Sequence, residues 1–228
     1  MGAPAPTPPS PNAPGLFIAI EGPEGAGKSS QVRRLTERLQ QRLNGSSDAP
    51  VITREPGGTP TGDRIRSVLL DPELRVDALT ELLLYAAARS QHVLEVIAPA
   101  LARGRLVLSD RFSAATVAYQ GHGRGLDLRF VADLNTRICA GHVPDLTVLL
   151  DVPPETGLQR IAARGATDRL ERADLDFHQR VRAGFLRQAE ADPARWRVID
   201  AQGAEDEVAA ALWRAVEGAI DRWQAQPT

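Results

Sequence analysis

The sequence predicts an α/β protein in which helices cover both faces of a five-stranded parallel sheet, a three-layer α/β/α arrangement. Two observations carry this. Five short apolar runs alternate with stretches of helical periodicity along most of the chain, the order that a parallel sheet with helical crossovers imposes. Polar or glycine-rich turns holding chemically active side chains follow directly after several of those runs, at the carboxyl ends of strands where open parallel sheets gather their ligands. A chain of 228 residues suits one good-sized domain and is short for two.

Met1 to Gly15 (MGAPAPTPPSPNAPG) holds six prolines and nothing that builds a core. A disordered or polyproline-like tail is expected over residues 1–15, followed by a single domain over 16–228. Leu16 to Ile20 is a continuous apolar run and reads as a buried parallel strand. A glycine-rich loop follows, then a helix over Ser29 to Leu43 with Val32, Leu35, Leu39 and Leu43 on one face. Asn44 to Asp48 reads as a surface turn. Val51 to Thr53 is the second strand, ending at Arg54-Glu55-Pro56-Gly57-Gly58-Thr59. Helices are expected over Gly62 to Leu70 and over Ala78 to Arg103, the second interrupted near Pro99. Leu106 to Leu108 is the third strand, followed by Ser109-Asp110-Arg111. Helices near Ser113 to Tyr119 and Leu128 to Ala140 flank a glycine-rich break, Gly121 to Gly125. Asp145 to Asp151 is the fourth strand, Pro154 to Arg164 a helix, and an arginine-rich segment runs to about Arg172. Leu175 to Ala191 is helical, Trp196 to Ile199 is the last strand, and Asp206 to Trp223 the last helix.

Between the first strand and the first helix lies Gly22-Pro23-Glu24-Gly25-Ala26-Gly27-Lys28-Ser29, with the G-x-x-x-x-G-K-[ST] spacing of a phosphate-binding P-loop. Of 27 lysines and arginines, Lys28 is the single lysine. A compact ammonium on a flexible stem reaches phosphates inside a tight backbone loop, where a planar guanidinium is too wide. A chance match is expected about once in a hundred chains of this length. The strand–loop–helix context lowers that further, because successive N–H groups and the helix N-terminus then converge on one anion. The predicted class is that of the P-loop NTPases. Gly22 to Ser30 form the nucleotide-phosphate cradle, with Lys28 at the β/γ-phosphates and Ser29 on Mg²⁺.

Asp110 ends an apolar strand, where a Mg²⁺-linked carboxylate is expected; a salt bridge to Arg111 is the alternative. Asp151 also ends a strand, but Pro153-Pro154 after it marks a turn and helix start, so Asp110 is preferred. Arg54, Arg89 and Arg111 come from three elements. Singly, each reads as a solvated or salt-bridged side chain; two of them follow strands at the ligand edge, which favours a second anion site beside the P-loop. Tyr85 and Arg89 stand four apart and share a helix face. Together they would stack on and hydrogen-bond a base, although spacing alone favours a core tyrosine with a capping arginine. Arg160, Arg164, Arg169 and Arg172 surround the break Gly165-Ala166-Thr167. They read either as a polar helix end or as a lid over about 160–172 that brings arginine to a transferring phosphoryl group.

Composition narrows the field. A net charge of -2 argues against bulk nucleic-acid affinity. The lone Cys139 excludes an intramolecular disulfide, and His92, His122, His142 and His178 show no zinc-ligand spacing. No apolar run approaches a membrane span and no signal peptide is expected, so the expected compartment is the cytoplasm.

In their order and spacing, EGPEGAGKSS, TREPGGT, YAAARSQ, SDRF, AYQGHGRG and PDLTVLLDVPPE resemble the thymidylate kinases, and the likeness runs from about Leu16 to the last helix. The resemblance implies phosphoryl transfer from ATP·Mg²⁺ to the 5′-phosphate of dTMP, giving dTDP and ADP for dTTP biosynthesis. It implies that Glu24 accepts from the sugar 3′-hydroxyl, that Arg54 and Arg111 hold the dTMP phosphate, that Tyr85 stacks on thymine and that Arg89 donates to the base. Thr116, Tyr119 and Gln120 would line the same nucleotide site. Tyr85 departs from the phenylalanine common in the family. One subgroup carries a catalytic arginine in the P-loop just after the acidic residue; Gly25 stands there, so the chain is similar to the lid-arginine subgroup, with Arg164 as lid arginine and Arg160 and Arg169 in support. Lys28, Arg111, Asp110 and Arg164 are then the catalytic set, and a homodimer is implied. Two rival readings exist. One is a kinase of another small acceptor, such as a different nucleoside monophosphate or a deoxynucleoside; the deoxynucleoside would need a carboxylate base, for which Glu21 is the candidate, but three acceptor-side arginines favour a phosphate acceptor. A regulatory nucleotide switch would lack the paired anion sites.

Overall fold

The structure, a computed structural model, describes residues 15–43, 49–165 and 168–225. The expectations for the proline-rich segment up to residue 14, for the turn at 44–48 and for Ala166-Thr167 lie outside the described residues. Five strands are present among those described: β1 (Leu16–Glu21), β2 (Val51–Arg54), β3 (Leu106–Asp110), β4 (Leu146–Asp151) and β5 (Trp196–Asp200). They form one parallel sheet in the order β2-β3-β1-β4-β5, with Ile18 level with Leu108 on one side and Leu146 on the other. The helices are α1 (Lys28–Arg42), α2 (Pro60–Leu70), α3 (Ala78–His92), α4 (Ala98–Ala102), α5 (Ser113–Thr116), α6 (Leu128–Cys139), α7 (Pro154–Arg164), α8 (Leu175–Ala191) and α9 (Glu205–Gln224).

Alternation along β1 makes the three layers. Leu16, Ile18 and Ile20 face Val32, Leu35 and Leu39 of α1 and Leu212, Val216 and Ile220 of α9. Phe17 and Ala19 face the other way, onto Ile97, Leu101, Phe112 and Cys139. A second cluster on that side joins Leu149 of β4 to Tyr119 and to Phe177, Val181 and Phe185 of α8. With β1 central and buried throughout, the loop that leaves it opens at the middle of the sheet edge.

Two helices differ from expectation. The long helix after Asp77 is broken near Pro99 as expected, but the break is a wide π-helical turn over Val93–Ile97, in which the Ala98 N–H donates to Val93 O. Pro99 has no N–H to close the normal i→i−4 bond, and the wider turn re-registers the ladder before α4. The helix from Ser113 does not stop at Tyr119. It widens into π-helical turns over Val117–Gly123, so the glycines of GHGRG belong partly to a helix and not to a break between helices. Close approach is the reason: a Cβ on Gly121 would lie 2.6 Å from Leu128 Cδ2, and one on Gly123 2.7 Å from the Phe177 ring. The widened turn buries Ala118, Tyr119, Gln120 and Gly121 in succession, which a regular surface helix does not do.

Candidate active site

The P-loop is built from backbone. Gly27 is the N-cap of α1 in the left-handed region and supplies no side chain, and no acidic residue stands in the first turn. The helix N-terminus is therefore left open to an anion. Gly25, at φ 73°, touches α7 backbone to backbone: a Cβ there would lie 2.2 Å from Gly157 O, so this chain admits no side chain at position 25. Lys28 is buried and donates to Gly22 O (3.0 Å) and Pro23 O (2.9 Å). Burial and the neighbouring Arg111 pull it down to about 8, against the opposing pull of Glu24, Asp110 and Glu21. Ser29 and Ser30 line a cleft of about 1110 Å³ together with Asp110, Arg111 and Arg54. Asp110 has no hydrogen bond or ion pair from its carboxylate among the described residues. Asp151 is held in a bidentate pair by Arg182, at 2.8 Å on each oxygen. Of the two strand-end carboxylates, Asp110 faces the cleft and Asp151 does not.

Across the cleft, Arg111 adopts φ 70° just past β3. Three bonds hold it there: its N–H donates to Ile20 O, the Ser109 hydroxyl donates to its carbonyl, and the following Phe112 N–H donates to Glu21 Oε1. The guanidinium then donates to Gly22 O (3.0 Å), Glu24 Oε1 (2.7 Å) and the Tyr119 hydroxyl (3.0 Å), while Tyr119 donates to Glu24 Oε1 (2.8 Å). Burial would raise the Glu24 carboxyl, but Arg111, Lys28 and the Tyr119 hydroxyl outweigh it and hold it at about 2. Arg54 is exposed and reaches Asp63 at 3.3 Å. Tyr85, Thr116 and Gln120 line the same cleft. Burial, then the nearby Glu81 carboxylate, push the Tyr85 phenol above its ordinary value, so it stays a neutral ring with a hydroxyl. The Thr116 Oγ1 is buried with no hydrogen-bond partner among the described residues.

Arg89 is not at the cleft, where the resemblance implied a contact to the base. It is 1% exposed and does not line the cleft. Its nitrogens are engaged by Glu55 (2.7 Å), Asn135 (2.9 Å) and Phe112 O (3.1 Å). Glu55 also takes His92 Nδ1 at 2.9 Å, so Arg89 and His92 together tie α3 to the loop after β2. Two of the three arginines expected of a lid are likewise anchors. Arg160 donates to Ala201 O, Gln202 O and Gly25 O, joining the P-loop to the turn after β5. Arg169 pairs with Glu81 and donates to Leu69 O at the end of α2. Arg164 remains 63% exposed, its guanidinium on Glu171. It lines both the main cleft and an adjoining hollow of about 330 Å³ bounded by Gln31, Gly203 and Glu205.

Sequence reasoning missed four participants. Arg66 of α2 lines the cleft, donates to Pro56 O, and is drawn below its ordinary value by burial and by Arg54; nothing local distinguishes it from the other arginines. Glu81, Glu55 and Gly157 act through partners far away in the chain. Glu21, the base that a deoxynucleoside kinase would require, is fully buried, is absent from the cleft wall and is lifted by burial to about 7. That geometry removes Glu21 as the base of a deoxynucleoside kinase.

The thymidylate kinase family model matches residues 20–212. A thymidylate kinase of Deinococcus radiodurans is 53% identical over 202 residues, covering 89% of this chain and 96% of that protein. One of Pseudomonas fluorescens is 54% identical over 188 residues, covering 82% and 88%. The solved thymidylate kinase of Ehrlichia chaffeensis superposes with a TM-score of 0.73 at 32% identity, over 89% of this chain and 98% of that one. The central P-loop, the left-handed Arg111 clasped to Glu24, and this likeness along almost the whole chain lead to one assignment: the chain belongs to the thymidylate kinase family.

Proposed function

We infer that the chain transfers the γ-phosphoryl group of ATP to the 5′-phosphate of dTMP, giving dTDP and ADP. The observation that carries this reading is the meeting of two hollows over one P-loop, with Gly25, Gly27, Ser30 and Arg164 lining both. ATP lays its phosphates on Gly22 to Ser30, and Lys28 exchanges the carbonyls of Gly22 and Pro23 for phosphate oxygens. dTMP enters the larger cleft. Arg111 and Arg54, with Arg66 beside them, hold its phosphate, Tyr85 stacks on the base, and Thr116, Tyr119 and Gln120 line the nucleoside. Glu24 uses Oε1 for Arg111 and Tyr119, which leaves Oε2 for the sugar 3′-hydroxyl. Arg164 stands between donor and acceptor, where it neutralises charge on the transferring group. The acceptor phosphate is already ionised, so positioning and charge neutralisation suffice and no strong general base is needed.

The donor set fits Mg²⁺. Among the described residues no three His, Cys, Asp or Glu side chains gather into a cage, but Ser29 and an unpaired Asp110 share the cleft wall. That suits an ion held by one or two protein oxygens plus phosphates and water. Held by Ser29 and Asp110, Mg²⁺ would neutralise phosphate charge. The domain reading is one kinase unit over 16–228 with a lid at about 160–172, in which Arg164 is the mobile arginine. A homodimer is supported by exposed Leu79, Leu83 and Leu94 along α3 and its π turn, with exposed Phe130 on α6, which contacts α3. No helix among the described residues is long and apolar enough to cross a membrane; the cytoplasm, which supplies ATP, is the proposed compartment.

The test is ADP production from ATP·Mg²⁺ with dTMP, dUMP, AMP, CMP, UMP, GMP and thymidine offered separately. Strong turnover with dTMP alone or above all others is expected. Preference for another acceptor would keep the kinase and overturn the base site.

A further inference from the structure

One wall of the cleft rests on a carboxylate that the phosphoryl transfer does not use. Glu81 of α3 is 0% exposed and is reached from three directions. Gln120 Nε2 donates to it at 2.8 Å, Arg124 donates through Nε and Nη2 at 3.2 and 3.1 Å, and Arg169 Nη1 stands 2.5 Å away. A carboxylate gripped by two guanidiniums can only accept. The Gln120 amide is therefore not free to turn. Its NH₂ must face Glu81, and its carbonyl oxygen faces the opposite way. Gln120 lines the cleft, and among the described residues no protein donor reaches Oε1. The arginines press Glu81 from its other sides, so the carboxylate that fixes the amide is itself fixed. Tyr85 stands one helical turn further along α3, on the same face as Glu81. The oriented carbonyl and the aromatic ring thus belong to one wall.

We propose that Glu81 is a specificity-determining positioning residue: by locking the Gln120 carbonyl toward the base, it selects a pyrimidine that presents an N–H at ring position 3 over one that presents a lone pair there. Thymine carries that N–H, and cytosine has a bare nitrogen in its place. Cytosine would set two acceptors face to face, the kind of mismatch that a polar site rejects strongly. The inference rests on the reading of Tyr85 and Gln120 as base-site residues.

The experiment compares kcat/KM for dTMP and dCMP in the full chain and in its Glu81→Gln, Glu81→Asp and Gln120→Met variants. A carboxamide at position 81 can donate as well as accept, so the amide of Gln120 can turn. The dTMP-to-dCMP ratio in Glu81→Gln is expected to narrow by about tenfold or more. Should that variant fail to fold, Glu81→Asp decides: it keeps the charge for Arg124 and Arg169, withdraws it from Gln120 by one methylene, and must narrow the ratio as well. A merely structural role would lower both substrates alike and leave the ratio in place, which overturns the proposal. In the Gln120→Met background, Glu81→Asp must move the ratio no further, and additional narrowing also overturns it. An unchanged KM for dTMP in Gln120→Met would remove the base-site reading and the proposal with it. A raised KM there with an unmoved ratio in Glu81→Asp would remove the proposal alone.

Discussion

The two halves of the cleft are made differently. The donor half is one stretch of backbone, Gly22 to Ser30, ending on a helix whose N-cap, Gly27, offers no side chain. In four other helices the same orphan N–H groups are closed by a side chain: Thr59 caps α2, Asp77 caps α3, Asp127 caps α6 and Asp174 caps α8. The acceptor half has no such continuous segment. Arg54, Arg66, Tyr85, Arg111, Thr116 and Gln120 come from β2, α2, α3, the turn after β3, α5 and the π turns. Carboxylates brace parts of this wall: half-buried Glu24 clasps Arg111, buried Glu55 clasps Arg89 behind the cleft, and buried Glu81 clasps Gln120 and Arg169. Removing one partner of such a pair leaves an uncompensated buried charge and costs about 3–5 kcal/mol. The donor half should therefore lose chemistry when mutated and keep its fold, whereas the acceptor half risks both.

Lys28→Ala should sharpen that contrast most. Turnover is expected to fall on the order of a thousandfold with little change in thermal stability, because among the described residues Lys28 hydrogen-bonds only to carbonyls of its own loop. Near-normal turnover in a steady-state ADP assay would sink the P-loop assignment. Next comes the pair Arg164→Ala and Arg169→Ala. The first should lower kcat about a hundredfold while KM for dTMP moves little. The second should lower the melting temperature, since Arg169 ties the lid to Glu81 and Leu69. If the two phenotypes are exchanged, the lid arginine has been misassigned. Tyr85→Ala should raise KM for dTMP about tenfold, through lost stacking area; an unchanged KM would return Tyr85 to a core role.

The smallest effect concerns the seam between the halves. Burial lifts Glu21 from 4.5 to about 7. Between those values the folded chain keeps a proton that the unfolded chain has released. The stabilising contribution is thus complete below pH 4.5 and is lost as pH rises through about 7. Glu21→Gln cannot titrate, so its urea midpoint should vary less over this window than that of the parent chain. Equal slopes would mean that Glu21 does not carry this proton.

The same contrast explains what was legible. A P-loop is contiguous, its spacing is dictated by the phosphate, and a lone lysine among 27 basic residues marks it. Asp110 and Arg111 were legible because a strand end in a parallel sheet is a ligand edge. The base contact expected of Arg89 came from the resemblance, whereas its i, i+4 spacing to Tyr85 favoured a capping arginine; the side chain meets Glu55, Asn135 and the Phe112 carbonyl. The partners of Arg160 and Arg169 were not legible either, since an arginine among arginines reveals its partner only in three dimensions.

By itself, then, the sequence determined the alternation of strands and helices, the phosphate cradle and the family. Each depends on residues adjacent in the chain or on one repeating period. Only the tertiary structure decided which lid-segment arginine stays exposed at the cleft, which strand-end carboxylate faces the cleft, why position 25 must be bare, and which way the Gln120 amide points. Those are outcomes of contacts between residues tens to more than a hundred positions apart, such as Gly25 with Gly157 and Glu81 with Arg169, and no local pattern encodes which buried charge will find which partner.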